Sequence, residues 1–472
     1  MKIFVYGFAN TALFFNEVFK KSQNRKDDIE WGIIYSYAPH KNTSDRILKK
    51  ENIFYLYEEF NSFFSNKDRN PIDYKFLSNG DNIHKMIAAS KHGYLRHSSK
   101  VQDKNANIIY EIYKKYLMEN APEYIIFPDV ETADGLILLN LCKELNIEVL
   151  YYVHTRYLGE SFFAQDAYET LPKYFGKYNS EDILKAEKNL KLYQDGKIKA
   201  FEVNEFGDDI IKIKSSSIYH RFLRGLYNKF RYENNAIIEG KITVKILKLI
   251  PKIYNFYLHS KFNLFQRKYF GILDDKDIVP KEFILFPLQM TPESSINTLA
   301  QYFIDQERLI EIVRLNMPNN FYLLVKEHPV MKGFRKNLFY KNLYKKSGVI
   351  LVDANADTKK LIEKSKLVVT VTGTVGLESY LEDKNILMFG PTFFSHLCHR
   401  FESFQNIRNE IHTAISHTKK NESKVSELAK IYNISYDFIL NDPLFHKNVL
   451  KVDNINNFID AVINHIERIK DV

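Results

Sequence analysis

Between about Glu282 and Gly390 the chain repeats one alternation: a short apolar run, then a segment of helical length with a single apolar face. The runs are Phe283-Ile-Leu-Phe-Pro287, Phe321-Tyr-Leu-Leu-Val325, Val349-Ile-Leu-Val352, Leu367-Val-Val-Thr-Val371 and Ile386-Leu-Met-Phe389. Ser294 or Ser295 can cap a helix carrying Ile296, Leu299, Ala300, Phe303 and Ile304, continued by Ile310, Val313 and Leu315 and closed by Pro318. A polar helix follows from Arg335 to Lys346, another is capped by Asp357 or Thr358 and runs through Lys364, and Gly373 turns into a helix over Val375 to Leu381. Strands that are apolar on both faces and alternate with helices require a parallel sheet covered on both sides, so an α/β fold is expected.

The N-terminal half shows the same grammar more loosely. Its expected strands are Lys2–Tyr6, Gly32–Tyr35, Tyr124–Phe127 and Glu148–Val153, and its helices Thr11–Lys20, Ala106–Met118 and Ala133–Leu145. At 472 residues the chain is too long for one ordinary core. The expected division is an N-terminal Rossmann-like domain over 1–207, a basic helical insertion over 208–275 and a C-terminal Rossmann-like domain over 276–450. A final helix over 451–472, carrying Phe458, Ala461, Val462 and Ile466, can strap back onto the first domain.

Charge is concentrated in that insertion. Residues 212–268 hold 13 Lys/Arg against 2 Glu, a larger surplus than the net +9 of the whole chain, so the remainder is slightly acidic. Aromatic and aliphatic residues at helical spacing fill the gaps between the cations. Such a segment suits an anionic membrane surface, worth about 1 kcal/mol per basic residue near the bilayer, or a packed helical insertion with a solvated basic face. No nucleic-acid-binding motif accompanies the charge, and no nucleic-acid partner is expected. Two cysteines, Cys142 and Cys398, make no disulfide framework, and the first apolar stretch lacks a cleavage pattern. No run approaches the roughly 20 apolar residues of a membrane-spanning helix. A cytoplasmic protein, peripheral at most on the inner face of the membrane, is the expectation.

Ligands of open parallel sheets bind beyond the carboxyl ends of the strands, and several polar motifs fall there. Pro287-Leu-Gln-Met-Thr-Pro-Glu293 offers Gln289 and Glu293; as an ordinary loop, Glu293 would serve a helix start instead. Val325-Lys-Glu-His-Pro329 offers Lys326 as a point charge and His328, held by Pro329, as a directional donor for phosphate; a lone His-Pro also marks a plain turn. Thr370-Val-Thr-Gly-Thr-Val-Gly376 joins a strand to a helix. Gly373 and Gly376 allow close backbone approach, and Thr372 and Thr374 add hydroxyls, with a helix cap as the other reading. Glu378, one turn on, can accept the hydroxyls of a ribose or lie solvated.

In their order and at these strand ends, Pro287-Leu-Gln289, Pro292-Glu293, Lys326-Glu-His-Pro329, Thr370 to Glu378 and Asn385 to Gly390 resemble the capsule polysaccharide biosynthesis family, which includes the Kdo transferases of capsule assembly. The likeness covers about Phe283 to Pro391, and the first domain only in outline. It implies a GT-B architecture, two Rossmann-like domains facing a cleft, and a nucleotide sugar bound mainly by the second domain. Donor binding would fall to Gln289, Glu293, Lys326, His328, Pro329, Thr372, Gly373, Thr374, Gly376 and Glu378. His328 would contact the donor phosphate, and the His-Pro element also looks like that of sialyltransferases using CMP-sugars. The donor is expected to be CMP- or UDP-linked, with no cofactor and no metal, since no Asp-x-Asp motif stands in the expected place.

The first domain should bring the acceptor and the general base. Phe127-Pro-Asp-Val-Glu-Thr-Ala-Asp-Gly135 places Asp129, Glu131 and Asp134 beyond a strand. Glu131 is the first choice of base and Asp134 the second, although the run equally suits capping of the helix at Ala133. His154, Arg156 and Arg400 are expected at an anionic acceptor, either a surface polysaccharide or its lipid-linked precursor. His396-Leu-Cys-His399 lacks a second pair of metal ligands. Two rivals to glycosyl transfer stand: a UDP-sugar 2-epimerase-like enzyme on the same pair of domains, and a non-catalytic carbohydrate-binding assembly protein.

Overall fold

The computed structural model describes residues 1–7, 11–25, 28–36, 47–65, 99–130, 132–198, 268–274, 277–291, 293–331, 335–416, 423–441, 443 and 446–471. The chain divides into two compact units, Met1–Glu239 with Val425–Val472, and Gly240–Lys424.

The first unit contains β1 (Lys2–Gly7), α1 (Thr11–Arg25), β2 (Glu30–Tyr35), β3 (Ile53–Tyr55), α2 (Leu56–Ser65), α3 (Ser99–Asn120), β4 (Tyr124–Phe127), α4 (Ala133–Glu144), β5 (Glu148–His154), β6 (Ser161–Ala164) and α5 (Ser180–Gln194). Its sheet runs β3-β2-β1-β4-β5-β6, parallel except where β6 returns against β5. That is the Rossmann order, and its topological switch lies between β1 and β4. Alternation along β1 assigns the two faces. Ile3 and Val5 join Phe14, Phe15 and Val18 of α1 in one core. Phe4 and Tyr6 face the other side, where Phe4 meets Tyr116 of α3 with ring centroids 5.9 Å apart.

The second unit contains β7 (Phe270–Ile272), β8 (Phe283–Pro287), α6 (Ser294–Asn297), α7 (Gln306–Asn316), β9 (Tyr322–Lys326), α8 (Asn337–Tyr344), β10 (Val349–Val352), α9 (Thr358–Lys364), β11 (Leu367–Thr370), α10 (Val375–Leu381), β12 (Ile386–Met388), β13 (His399–Arg400) and α11 (Ile407–Ser416). The sheet order β13-β12-β11-β8-β9-β10-β7 is the same Rossmann order with β7 added at one edge, and its switch lies between β8 and β11. Ile284 and Phe286 pack with Ile310 and Val313 of α7, Leu343 of α8 and Ile411 of α11. Phe283 and Leu285 pack on the opposite face with Leu361 and Ile362 of α9 and Val375 of α10. Both faces are covered, which is why these strands are apolar throughout.

Three expectations about elements are corrected. The single helix from Ser294 to Leu315 is broken: a 3-10 turn over Gln301–Phe303 intervenes, and Asp305 caps a fresh helix by accepting the Arg308 N–H at 3.1 Å. Residues 270–272, assigned to the basic insertion, are a strand of the second sheet. The chain also re-enters the first unit at Val425, not after 450. There α12 (Lys424–Ile434) leads to Tyr436, which bridges to Ser161, and to Phe438, whose ring lies 5.5 Å from Phe163. The chain closes on α13 (Val452–Lys470), whose Ile455, Phe458, Ile459, Val462 and Ile466 bury against α1 at the helical spacing. The remainder of the basic segment, 212–267, lies outside the described residues. Among the described residues no helix is long and apolar enough to cross a membrane.

Candidate functional site

Three neighbouring strands of the second sheet, β11, β8 and β9, each carry one of the polar motifs just past their carboxyl ends. Parallel pairing sets Pro287 opposite Lys326, and the Leu288 N–H donates to the Lys326 carbonyl at 2.8 Å, so the first two motifs leave the sheet side by side. The third leaves from β11, directly across the switch from β8.

One continuous hydrogen-bonded path links all three. Glu327, 2% exposed, accepts Arg335 Nε on both carboxylate oxygens, at 3.1 and 3.0 Å, along with the His328 N–H at 2.6 Å and the Tyr340 hydroxyl. The same guanidinium donates through NH2 to the Gln289 carbonyl and lies over the Phe339 ring. Gln306 clamps that loop from the other side: its carboxamide accepts from Gln289 N at 2.8 Å and donates to the Gln289 carbonyl at 3.2 Å and to Thr291 Oγ1 at 3.0 Å. In the orientation that the surrounding donors require, the Gln289 side-chain oxygen accepts the Thr372 and Gly373 N–H groups at 2.7 and 2.6 Å. Thr372 Oγ1 also donates to the Ser295 carbonyl at 2.9 Å. A methyl group at Gly373 would lie 2.9 Å from Thr370 Oγ1, and one at Gly376 would lie 2.7 Å from Met388 Cε. At Gly373 a side chain would crowd the hydroxyl that accepts its own N–H, whereas at Gly376 the flexible end of Met388 would have to move aside.

Lys326 is buried, at 3% exposure, and its Nζ donates to the Ala354 carbonyl at 3.3 Å. Burial lowers its pKa, opposed by the nearby charges of Asp353, Glu327, Glu378 and Asp357. His328 is pushed down to about 4 by burial and by the neighbouring cations Lys326 and Arg335, so its imidazole is neutral near pH 7. Lys326 ends β9 and His328 follows two residues on, while Glu378 lies on the first turn of the helix that follows β11.

The other expected residues take varied places. Glu293 accepts the Ser295 hydroxyl at 2.6 Å at the start of α6. Pro329 is exposed and opens a 3-10 turn over Pro329–Met331. Thr374 precedes α10, yet its side chain makes no capping bond to the helix. Glu378 lies on the first turn of α10. Arg400 is exposed on the edge strand β13. Glu327, Arg335, Tyr340 and Gln306 were not singled out from the sequence; the one hint was the invitation of a carboxylate inside Lys326-Glu-His-Pro329.

In the first unit, the acidic run beyond β4 lies at that sheet's own switch point. Glu131 is outside the described residues. Asp134 is 4% exposed and accepts the Tyr6 hydroxyl at 3.1 Å and the Tyr113 hydroxyl at 3.5 Å. Thr132 caps α4 by accepting the Gly135 N–H at 3.4 Å. Asp129 accepts from the Tyr151 hydroxyl at 3.4 Å. His154 is buried and held down to about 3 by burial and by Arg156, whose N–H donates to His154 Nδ1 at 3.0 Å. Arg156 pairs with the buried Glu169 at 3.1 Å, and both residues have left-handed backbone, with φ of 61° and 56°. Cys142 and Cys398 are buried free thiols. Among the described residues no three His, Cys, Asp or Glu side chains are grouped to hold a metal ion.

One family model matches part of the chain, most of it in the second unit. Residues 266–438 match the capsule polysaccharide biosynthesis protein family. The capsule-synthesis segment therefore holds all three strand-end motifs and the network between them. No curated protein matches the chain significantly. Among solved structures, the chain is similar to KpsC, beta Kdo 2,4 transferase, of Thermosulfurimonas dismutans, with 13% identity, coverage of 70% of this chain and 87% of that one, and a TM-score of 0.38. The beta Kdo 2,7 transferase of KpsC from the same organism shows 10% identity over 95% of this chain and 99% of that one, with a TM-score of 0.37. UDP-GlcNAc 2-epimerase from Neisseria meningitidis, bound to UDP-GlcNAc, shows 12% identity over 92% and 98%, with a TM-score of 0.29. At these scores the likenesses carry no functional weight.

Proposed function

We propose that this chain is a glycosyltransferase of capsule synthesis that moves a sugar from a nucleotide-activated donor to a capsular polysaccharide or its lipid-linked precursor. The observation that carries the reading is that the motifs of Gln289, His328 and Thr372 leave three neighbouring strands beside the switch point of one sheet, joined by a single hydrogen-bonded path, within the segment that matches the capsule-synthesis family. A buried ammonium with one carbonyl partner suits an anionic ligand group, which would restore the solvation that Lys326 has lost. The neutral His328 imidazole offers a directional N–H to a phosphate oxygen, and the Thr374 hydroxyl lies at the adjoining turn. Glu378 would accept ribose hydroxyls. Gln289, Thr372 and Gly373 shape this edge through their bonds to one another, Glu293 accepts the Ser295 hydroxyl beside them, and Pro329 and Gly376 belong to its backbone.

In this reading the acceptor hydroxyl oxygen attacks the anomeric carbon, the bond from that carbon to the phosphate oxygen breaks, and the electron pair leaves with the nucleotide. Lys326 and His328 stabilise the departing phosphate charge without a metal ion. The acceptor proton passes to a carboxylate of the first unit. Glu131 is preferred over Asp134, because two tyrosine hydroxyls already occupy the Asp134 carboxylate. His154, Arg156 and Arg400 would hold an anionic acceptor. The basic segment 212–268 would bring the protein to the anionic inner face of the cytoplasmic membrane, where a lipid-linked acceptor lies.

A thermal-shift series with CMP-, UDP- and GDP-sugars tests the donor site. A true donor at a hundred times its dissociation constant adds about 2.7 kcal/mol of stability. Lack of any shift across all three nucleotides would sink the reading. NMR of the productive pair without acceptor separates transfer from epimerisation, since an epimerase converts the free nucleotide sugar.

A further inference from the structure

Arg335 belongs to none of the strand-end motifs, yet it touches two of them directly and a third at one remove. Its Nε bonds both oxygens of Glu327, and its NH2 bonds the Gln289 main-chain carbonyl. Glu327 in turn receives the backbone N–H of His328 at 2.6 Å, which ties down the main chain as it leaves β9. Gln289 receives the Thr372 and Gly373 N–H groups through its side chain. The Arg335 and Glu327 side chains are 9% and 2% exposed, and Phe339 lies under the guanidinium at 5.3 Å.

We infer that Arg335 is the positioning residue of this site: one planar guanidinium that holds the His328 loop, through Glu327, in register with Gln289 and so with the turn at Thr372. The assignment rests on reading this edge as the donor site. Only arginine supplies the geometry. Two donors at fixed angles reach a carboxylate and a carbonyl on different strands together, whereas a lysine ammonium places its charge at a single point. Arg335 acts through its neighbours and need not touch the ligand. Its cation also lies close enough to His328 to oppose protonation of the ring.

The test uses the full chain with two readouts: calorimetric affinity for CMP and for UDP, and titration of the His328 ring by NMR. Arg335→Lys keeps the charge and loses the fork; affinity for whichever nucleotide binds is expected to fall at least about tenfold, the loss typical of a charged hydrogen bond, while His328 still titrates low. Arg335→Gln removes the charge as well, and the His328 titration is expected to rise. If Arg335→Gln does not fold, the paired variant Glu327→Gln with Arg335→Gln strands no charge and replaces it, with the same expected rise. Wild-type affinity in Arg335→Lys overturns the assignment, and so does an unchanged His328 titration in the neutral variants. A wild-type chain that binds neither nucleotide overturns the donor reading instead, and the titration alone then decides the role of Arg335.

Discussion

Gln289 plugs the turn that precedes α10: its side-chain oxygen accepts the main-chain N–H of Thr372 at 2.7 Å and that of Gly373 at 2.6 Å. The sequence set Thr372 and Gly373 among the donor-binding residues. The structure commits both of them to a side chain from the neighbouring strand's loop, and only groups further along, such as the Thr374 hydroxyl, remain on that turn for a ligand. Gln289→Leu would leave both amides without their partner, at about 1–3 kcal/mol for each buried donor. Amide hydrogen exchange of Thr372 and Gly373 should accelerate in this variant ahead of that of β11; equal rates in variant and wild type would show that the plug is not holding the turn.

Lys326 should trade stability for binding. Its ammonium is buried and has one carbonyl partner, so Lys326→Met removes a desolvated charge while keeping the stem's packing. Thermal stability is expected to hold or rise, and nucleotide affinity to fall below detection by calorimetry. Marked destabilisation with affinity retained would assign Lys326 to the scaffold alone.

Acid should unfold the protein earlier than its carboxylates require. His154 and His465 are held down to about 3 and His328 to about 4, all mainly by burial, with Arg156 beside the first, Arg468 beside the second and Lys326 and Arg335 beside the third. In the folded chain these rings stay neutral well below 6.5, whereas the unfolded chain protonates them near that value. Between about pH 6.5 and 4 the unfolded state therefore binds more protons, and stability rises with pH across that window and is lost as pH falls through it. Urea midpoints should decline steadily from pH 7 to 4.5, and His465→Gln should flatten part of the slope. A midpoint constant over that range would contradict the buried neutral rings.

Much of the second sheet was legible because β8, β9, β10, β11 and β12 are apolar on both faces, and such runs announce themselves without partners. The same holds for β4, read from the sequence with its observed ends, Tyr124 and Phe127. Short edge strands were not legible: β13 has two residues, and β3 and β7 have three each. Their structure comes from the neighbour they pair with, not from local pattern. The motif residues were found at the strand ends, but not their connections. Arg335 lies 46 positions from Gln289, and Gln289 lies 83 from Thr372, so bonds over such separations leave no periodicity to read. The break in the helix after Ser294 was equally silent in the apolar pattern, which runs on through it, although Asp305 caps the new helix and Gln306 turns inward to clamp the loop of Gln289.

Phe458 on α13 should be among the costliest single truncations. It is fully buried between Phe14, Phe15, Phe163 and Phe438, with ring centroids 5.2–6.2 Å away. Phe458→Ala is expected to cost about 3–5 kcal/mol, measured as a lowered urea midpoint. A loss under about 1 kcal/mol would mean that α13 contributes little to the first unit's core.

Because Val425–Val472 completes the unit that Met1 begins, the second unit is in topological terms a long detour inside the first. A ribosome delivers β1 and α1 before the second unit, but the aromatic cover of α1 emerges only after the whole second sheet has been made. Phe14 and Phe15 must wait for Phe458 with their apolar surface uncovered. The core around α1 thus closes only after the second unit has been threaded through, so its apolar face meets solvent or a transient cover in the meantime.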